Sequence, residues 1–432
     1  MPRSQSLNAQ ILAIAWPAIV SNITTPLLGL VDTAIAGHLG NSVDLAAIAI
    51  GTTAFNLIYW LFGFLRMTTA GLTSQAFGAN NISSENIVLW RSVAIALLVG
   101  VSIVALSPWI GPAVLRVLDT DDATRSEALV YFRIVVMGAP AVLISYSLNG
   151  WLIGMQNTRI PMFVAIATNV VNIALSTVFV FVLNLKINGI AFGTMLSQWV
   201  ALGICALWLH RSYKPKLIAL KRIFSSMRHF MSLNLDIFLR TLCMIFVTAW
   251  FTRAGASQGV SVLAANAVLM QFFLLFSYFS DGFAYAGEAL AGKFYGMGNP
   301  AMLRRCVNSL LKWGAAIAVI FTAVYFFGGE ALLAILTDRR DVVDTAREYL
   351  VWMLTIPICG IGAFIYDGVF IGLTRTRSMM TSVVLGMALF FAIYLLLQPL
   401  MGNHALWLAF AAWLSLRGAV LHFLFRHGKS RR

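Results

Sequence analysis

Twelve apolar runs, each about 20 residues or longer, follow one another along this 432-residue chain with only short polar stretches between them. An α-helix of roughly 20 residues, rising 1.5 Å per residue, covers the ~30 Å hydrocarbon layer of a bilayer. The runs lie near residues 8–36, 45–73, 91–112, 128–155, 160–183, 187–209, 230–254, 262–291, 307–328, 345–373, 379–400 and 404–425. Lipid offers the backbone no hydrogen-bonding partner, so a spanning segment must satisfy its own amides, and segments this long do so as helices rather than barrel strands. The expected fold class is an all-α polytopic membrane protein with twelve transmembrane helices. Composition agrees: 60% of residues are hydrophobic and 11% charged, against about a quarter charged in an ordinary soluble domain. The first run is too long for the apolar core of a signal peptide and is read as a span.

The formal net charge of +14 could suggest a nucleic-acid partner, but the placement of the charges says otherwise. With the N-terminus on the cytoplasmic side, 19 of the 30 Lys and Arg fall in cytoplasmic segments, among them Arg3, Arg91, Arg159, the group from Arg211 to Arg228, and Arg426 to Arg432. Six fall outside (Arg116, Arg125, Lys186, Arg253, Arg339, Arg340), and five lie within or at the ends of spans (Arg66, Arg133, Arg240, Arg347, Arg417). That asymmetry is the positive-inside pattern, which puts both termini of a multi-pass protein in the cytoplasm. The basic residues then set topology and meet anionic membrane lipids, with no nucleic acid involved. Cys205, Cys243, Cys306 and Cys359 form no CxxC pair and read as small buried hydrophobes. The His residues make no metal-ligand cluster, so no metal is expected. P-loop, HExxH and GxSxG motifs are missing, so neither catalytic residues nor an enzyme is expected.

The chain also repeats itself at a spacing of 218 residues. Asn149-Gly150-Trp151-Leu152-Ile153-Gly154 aligns with Asp367-Gly368-Val369-Phe370-Ile371-Gly372, Thr158-Arg159 with Thr376-Arg377, Ala46-Ala47 with Ala264-Ala265, Phe77-Gly78 with Tyr295-Gly296, and Asn81 with Asn299. The expected organisation is an N-terminal six-helix lobe over 1–209, a basic cytoplasmic linker over 210–229 and a C-terminal six-helix lobe over 230–432. Six spans per half is an even number, so both halves enter from the same side, as in secondary transporters built from parallel repeats. The chain is read as a monomer.

Several strings are family-like. Pro26-Leu27-Leu28-Gly29-Leu30-Val31-Asp32-Thr33-Ala34-Ile35-Ala36-Gly37-His38-Leu39-Gly40 resembles the first helix of the multidrug and toxic compound extrusion (MATE) family, and Gly154-Met155-Gln156-Asn157-Thr158-Arg159-Ile160-Pro161-Met162 resembles another of its motifs. Phe64-Leu65-Arg66-Met67, Gly71-Leu72-Thr73, Gln75-Ala76-Phe77-Gly78-Ala79, Asp281-Gly282-Phe283-Ala284-Tyr285-Ala286 and Gly402-Asn403-His404-Ala405-Leu406-Trp407-Leu408 are similar to the DinF branch. The resemblance covers essentially the whole chain. It implies export of organic, often cationic compounds, driven by inward flow of H+ or Na+, with no other cofactor.

Asp32 is the leading candidate site residue. A charged side chain at mid-span costs about 2.5–3.5 kcal/mol on insertion scales, so an intramembrane carboxylate calls for a functional reason. Such a group suits the uptake of a proton or cation, and the resemblance implies that the coupling acid stands here. Pro17 and Pro26, in the same span, each remove a backbone hydrogen bond and can kink the helix; the charge state of Asp32 is expected to shift that bend. Asn169 and Asn172 are three apart and share a helix face toward the Asp32 lobe. Relatives implied by the resemblance often carry Asp four residues after the second Asn, where this chain has Ser176. One carboxylate fewer favours protons over Na+.

In the second half, Asp236 and Arg240 are i, i+4 neighbours and expected to pair. Asp281, Tyr285 and Glu288 share a face, with Arg66 as their cationic partner across the lobes, either as ion pairs closing an inner gate or as binding groups. Asp367 stands where the first half has Asn149, a polar asymmetry that favours a role. The expected function is a proton-coupled multidrug efflux antiporter for small organic, xenobiotic substrates. The alternatives are a Na+-coupled exporter and a flippase for a lipid-linked precursor, whose diphosphate would need a basic cavity that these spans do not supply. If the Pro17 kink moves during transport, Pro17→Ala slows efflux from proteoliposomes; an unchanged rate identifies a static kink.

Overall fold

The computed structural model describes residues 6–37, 42–117 and 121–428. His38, Leu39 and Gly40 of the first motif, and Arg3, Lys429, Arg431 and Arg432 of the charge tally, lie outside the described residues. The chain runs α1 (Leu7–Gly37), α2 (Ser42–Leu61), α3 (Phe64–Gly78), α4 (Ile82–Val117), α5 (Asp122–Val135), α6 (Ala139–Gly154), α7 (Arg159–Thr177), α8 (Lys186–Tyr213), α9 (Leu220–Ile223), α10 (Met227–Ala256), α11 (Val260–Gly296), α12 (Pro300–Leu336), α13 (Arg340–Gly372), α14 (Thr376–Met401) and α15 (Asn403–His427). Twelve helical segments among the described residues are long and apolar enough to cross a membrane. They match the twelve runs, with ends that extend past the apolar stretches.

Two of the expected spans are broken. Between α2 and α3 the chain makes tight three-residue bonds, Phe62 N–H to the Tyr59 carbonyl and Gly63 N–H to the Trp60 carbonyl, both 3.1 Å. Between α5 and α6 a 3-10 turn, Val136–Gly138, precedes Pro140, whose ring has no N–H to continue the helical ladder. α7 opens into a π-turn over Val178–Val182. Where helices restart, side chains cap them. Asp121 accepts the Thr124 N–H at 3.0 Å, and the hydrogen bonds from Thr124 hold its carboxyl below the usual carboxylate range.

The 218-residue repeat is visible atom by atom. Asn80 (φ 52°) and Gly298 (φ 66°) take the left-handed conformation after α3 and α11. Asn81 N–H then bonds the Ala76 carbonyl at 2.9 Å, as Asn299 N–H bonds that of Phe294 at 3.0 Å. The same asparagines cap the next helix, Asn81 Oδ1 accepting from Ser84 N–H and Asn299 Oδ1 from Met302 N–H, each at 3.0 Å. Packing repeats too. A Cβ on Gly150 would collide with the Arg66 carbonyl oxygen, and one on Gly368 with that of Ala284. A Cβ on Gly154 would sit 2.9 Å from Ser74 N, and one on Gly372 2.8 Å from Gly292 N. These are two GxxxG pairs, the device by which helices approach closely where lipid removes the hydrophobic drive for association.

The helices form two compact units. One is Val20–Phe230; the other joins Met231 onward with the chain before Val20. The first half of α1, to Ile19, therefore belongs with the C-terminal unit rather than with a 1–209 lobe. The segment after α8 is docked rather than free: Arg91 Nε donates to the Ile223 carbonyl at 2.8 Å, and Arg91 also binds the Ser225 carbonyl.

Gly150→Ala and Gly368→Ala are each expected to lower stability by about 1–3 kcal/mol, the usual cost of forcing an overpacked contact. Gly203→Ala and Gly328→Ala, where a Cβ meets open space, should be neutral or slightly stabilising. Thermal unfolding of the four variants in detergent checks the contrast.

Candidate functional site

Asp32 lies in the later part of α1, within the Val20–Phe230 unit, and is only 2% exposed. Its Oδ2 accepts a hydrogen bond from Thr194 Oγ1 at 2.8 Å, and Thr194 Oγ1 in turn accepts from Asn172 Nδ2 at 3.0 Å. α1, α7 and α8 thus meet in a relay of amide, hydroxyl and carboxylate. Tyr131 of α5 is buried within electrostatic reach of the carboxylate. Two glycines make the room: Gly51 lies against the Tyr131 ring, 2.5 Å from a built Cβ, and Gly193 against the backbone of Ser176, 2.8 Å to its nitrogen.

Every partner of Asp32 among the described residues is neutral, and its Oδ1 has none. Asn172 Oδ1 and Ser176 Oγ are likewise buried without partners. Ionised, this carboxylate is a charge without a counter-charge, a state that low-dielectric surroundings penalise. Among the described residues no three His, Cys, Asp or Glu side chains gather to hold a metal ion.

Asn169 belongs elsewhere. Its Nδ2 donates to the Thr24 carbonyl at 2.7 Å, two residues before Pro26. It therefore ties α7 to the α1 backbone close to Pro26. α1 remains helical through both Pro17 and Pro26. Pro17 falls in the stretch that belongs with the C-terminal unit and Pro26 in the stretch that belongs with the N-terminal unit.

The expected Asp236–Arg240 pair is a mistake that the fold corrects. Arg240 donates to Asp367 Oδ2, and Arg417 Nη2 donates to the same oxygen at 2.6 Å. Asp236 instead accepts from Thr376 Oγ1 at 2.8 Å. The reason is burial: Asp367 is 8% exposed and needs a counter-charge more than the less enclosed Asp236, which a hydroxyl satisfies. The Arg417 guanidinium also lies 4.7 Å from the centre of the Trp413 ring. Asp281 lies within electrostatic reach of Arg417 and is 3.4 Å from Ser277 Oγ. Asp281, Tyr285 and Glu288 stand on α11 in the C-terminal unit, Glu288 fully enclosed, and Arg66 stands on α3 in the N-terminal unit. Thr194, Tyr131 and Arg417 were not singled out from sequence. Only Arg417 carried a signal, as a charge inside a span.

The MatE family model matches the chain twice, over residues 17–178 and 234–396. The chain belongs to the MATE family. The two matches begin one after the other at nearly the repeat spacing. The MATE chain is 37% identical over 417 residues to DNA damage-inducible protein F of Escherichia coli (strain K12), covering 96% of this chain and 91% of that one. It is 24% identical to the probable multidrug resistance protein NorM of Acinetobacter baylyi, over 95% and 94% of the two chains. A solved MATE structure in the bent conformation superposes with a TM-score of 0.87 at 18% identity, over 98% of this chain and 95% of that one. An outward-facing multidrug resistance MATE transporter superposes at 0.86 with 19% identity, over 98% and 96%. The fold is thus that of the MATE transporters, and the likeness to the E. coli protein puts the chain in the DinF branch. Members of the family are membrane transporters, not enzymes.

Asp367→Ala strands two buried guanidiniums and should cost about 3–5 kcal/mol. Replacing Arg240, Asp367 and Arg417 together by Met, Leu and Met should restore most of that stability, read by thermal unfolding in detergent.

Proposed function

We propose that this chain exports organic, mainly cationic compounds across the bacterial cytoplasmic membrane by H+ antiport through Asp32. The observation that carries the reading is the Asp32 carboxylate, buried in a spanning helix with only neutral partners and one unpartnered oxygen among the described residues. A group so placed is stable when it takes up a positive charge and is destabilised when it gives that charge away. It can therefore bias two states of the protein by its occupancy. External protons load Asp32 as substrate leaves, and release of the proton on the cytoplasmic side resets the cycle. One charge crossing 100 mV supplies about 2.3 kcal/mol, to which a pH gradient adds. The multidrug resistance names among relatives support the substrate class. The 19 to 6 split of basic residues supports cytoplasmic termini, and the protein works as a monomer in contact with membrane lipid.

A sodium ion has one observation in its favour. Asp32 Oδ1, Asn172 Oδ1 and Ser176 Oγ are unpartnered oxygens on the facing helices α1 and α7, and hard cations are bound by oxygen ligands. Against a flippase for a lipid-linked diphosphate, the in-span Arg240 and Arg417 are already held by Asp367.

Proteoliposomes with an imposed pH gradient are expected to move an organic cation uphill, and Asp32→Asn should reduce that movement to the passive background. Equal uphill transport by the two removes Asp32 from the mechanism; transport that follows only a sodium gradient assigns the coupling ion to Na+.

A further inference from the structure

A second chemically distinctive place lies away from Asp32, at the end of the Val20–Phe230 unit where α8 runs out into the 214–219 segment. A cavity of about 350 Å³ opens there, with Phe77, Glu85, Trp151, Met155, Tyr213 and Pro215 in its wall. The wall is held in place. Trp151 Nε1 donates to the Glu85 carbonyl at 2.9 Å, and the Trp151 and Tyr213 rings meet edge to face with centroids 5.1 Å apart. Asn157 Nδ2 donates to the Tyr213 hydroxyl at 3.0 Å. Lys216 N–H donates to Asn86 Oδ1 and Trp90 Nε1 to the Lys216 carbonyl, each at 3.0 Å, which straps the outgoing chain to α4.

Within this frame the Glu85 side chain is 7% exposed, and no described residue offers its carboxylate a hydrogen bond or an opposite charge. A carboxylate that faces a cavity without a counter-charge among the described residues is a place where a cationic ligand can supply one. The surrounding groups say which ligand. Three aromatic rings and a thioether around one acid suit a cation that carries apolar substituents, since ring faces attract positive charge and soft apolar walls accept the rest. A bare metal ion would want a shell of oxygens instead.

The second half offers a contrast. The matching helices of the second half, α12, α13 and α15, frame a cavity of about 440 Å³ whose wall carries Arg304, Tyr366, His422 and Arg426. Arg304 stands at the repeat position of Asn86. Its Tyr366, His422 and Arg426 stand at the repeat positions of Leu148, Ile204 and Trp208, none of which lines the first cavity, and Leu303 stands where the first half has Glu85, so the acidic wall is not repeated.

We propose that the Glu85 cavity binds organic monocations and acts as a loading subsite, collecting substrate at the cytoplasmic mouth of the N-terminal unit before transport. This rests on the export function proposed above. It is tested with the full-length protein and tetraphenylphosphonium as probe. Equilibrium binding is measured in an Asp32→Asn background, with and without Glu85→Gln, and efflux kinetics are measured with Asp32 intact. Glu85→Gln should weaken binding and raise the KM for efflux about tenfold, with the maximal rate within about twofold of wild type, as loss of one partly shielded charge contact requires. Glu85→Asp should restore wild-type KM, and Tyr213→Leu should raise it. Glu85→Gln removes a charge that has no partner among the described residues, so its folding is not at risk. Unchanged binding and unchanged KM in Glu85→Gln overturn the subsite while leaving export intact. If wild type moves no organic cation, the export reading fails, and the binding measurement still decides the cavity: binding that depends on Glu85 upholds it, and binding indifferent to Glu85 overturns it.

Discussion

A carboxylate inside a membrane must be matched by positive charge, and the two halves of this chain meet that demand in opposite ways. Asp32 is held by a threonine hydroxyl that an asparagine amide supports, so no counter-charge is built in beside it among the described residues. Asp367 is gripped by Arg240 and Arg417, whose guanidiniums stay protonated, so its match is permanent. The repeat makes the contrast sharper. At the 218-residue spacing, Asp32 corresponds to Trp250, while Arg240, Asp367 and Arg417 correspond to Asn22, Asn149 and Trp199. The second half carries a charged triad where the first half has neutral residues, and the first half holds an acid with no ionic partner among the described residues.

Glycine contacts give the site its precision. Gly193 lets α8 come against Ser176 of α7, which brings Thr194 up to Asp32; Gly51 clears space for the Tyr131 ring. The paired glycines at 150 and 154, and again at 368 and 372, fix neighbouring helices by backbone contact in both halves. In an apolar solvent such packing, with a few interhelical hydrogen bonds, takes over the role that water exclusion plays in soluble proteins. A relay whose hydrogen bonds are 2.8 and 3.0 Å long depends on that fixity.

Much of this was legible in the sequence, for reasons that also explain what was not. Spanning helices announce themselves because lipid imposes one length and one polarity, and Asp32 is conspicuous because an acid in such a run is expensive. The repeat could be read because its turns use particular residues: Asn81 and Asn299 cap helices, and Gly150 and Gly368 stand where no Cβ fits. The break between α2 and α3 was hidden, since Phe62 and Gly63 are as apolar as their surroundings. Thr194 and Tyr131 carry no mark of the partner they will meet. The Asp236–Arg240 expectation failed because spacing along one helix sees only that helix, whereas Asp367 competes for the arginine from 127 residues away. Asn169 and Asn172 share a face, yet a turn of helix is enough to send one to the Thr24 carbonyl and the other to Thr194.

The shared oxygen of Asp367 bears on how the protein is made. Asp367 and its two arginines lie on helices that leave the ribosome in the order α10, α13, α15. Until α15 is threaded into the bilayer, Asp367 has a single guanidinium to lean on, and until α13 arrives Arg240 lacks the carboxylate it binds in the finished fold. A nascent chain that lacks α15 holds the Asp367 carboxylate with one of its two guanidiniums missing, so the charge cluster is complete only when the last helix is in place.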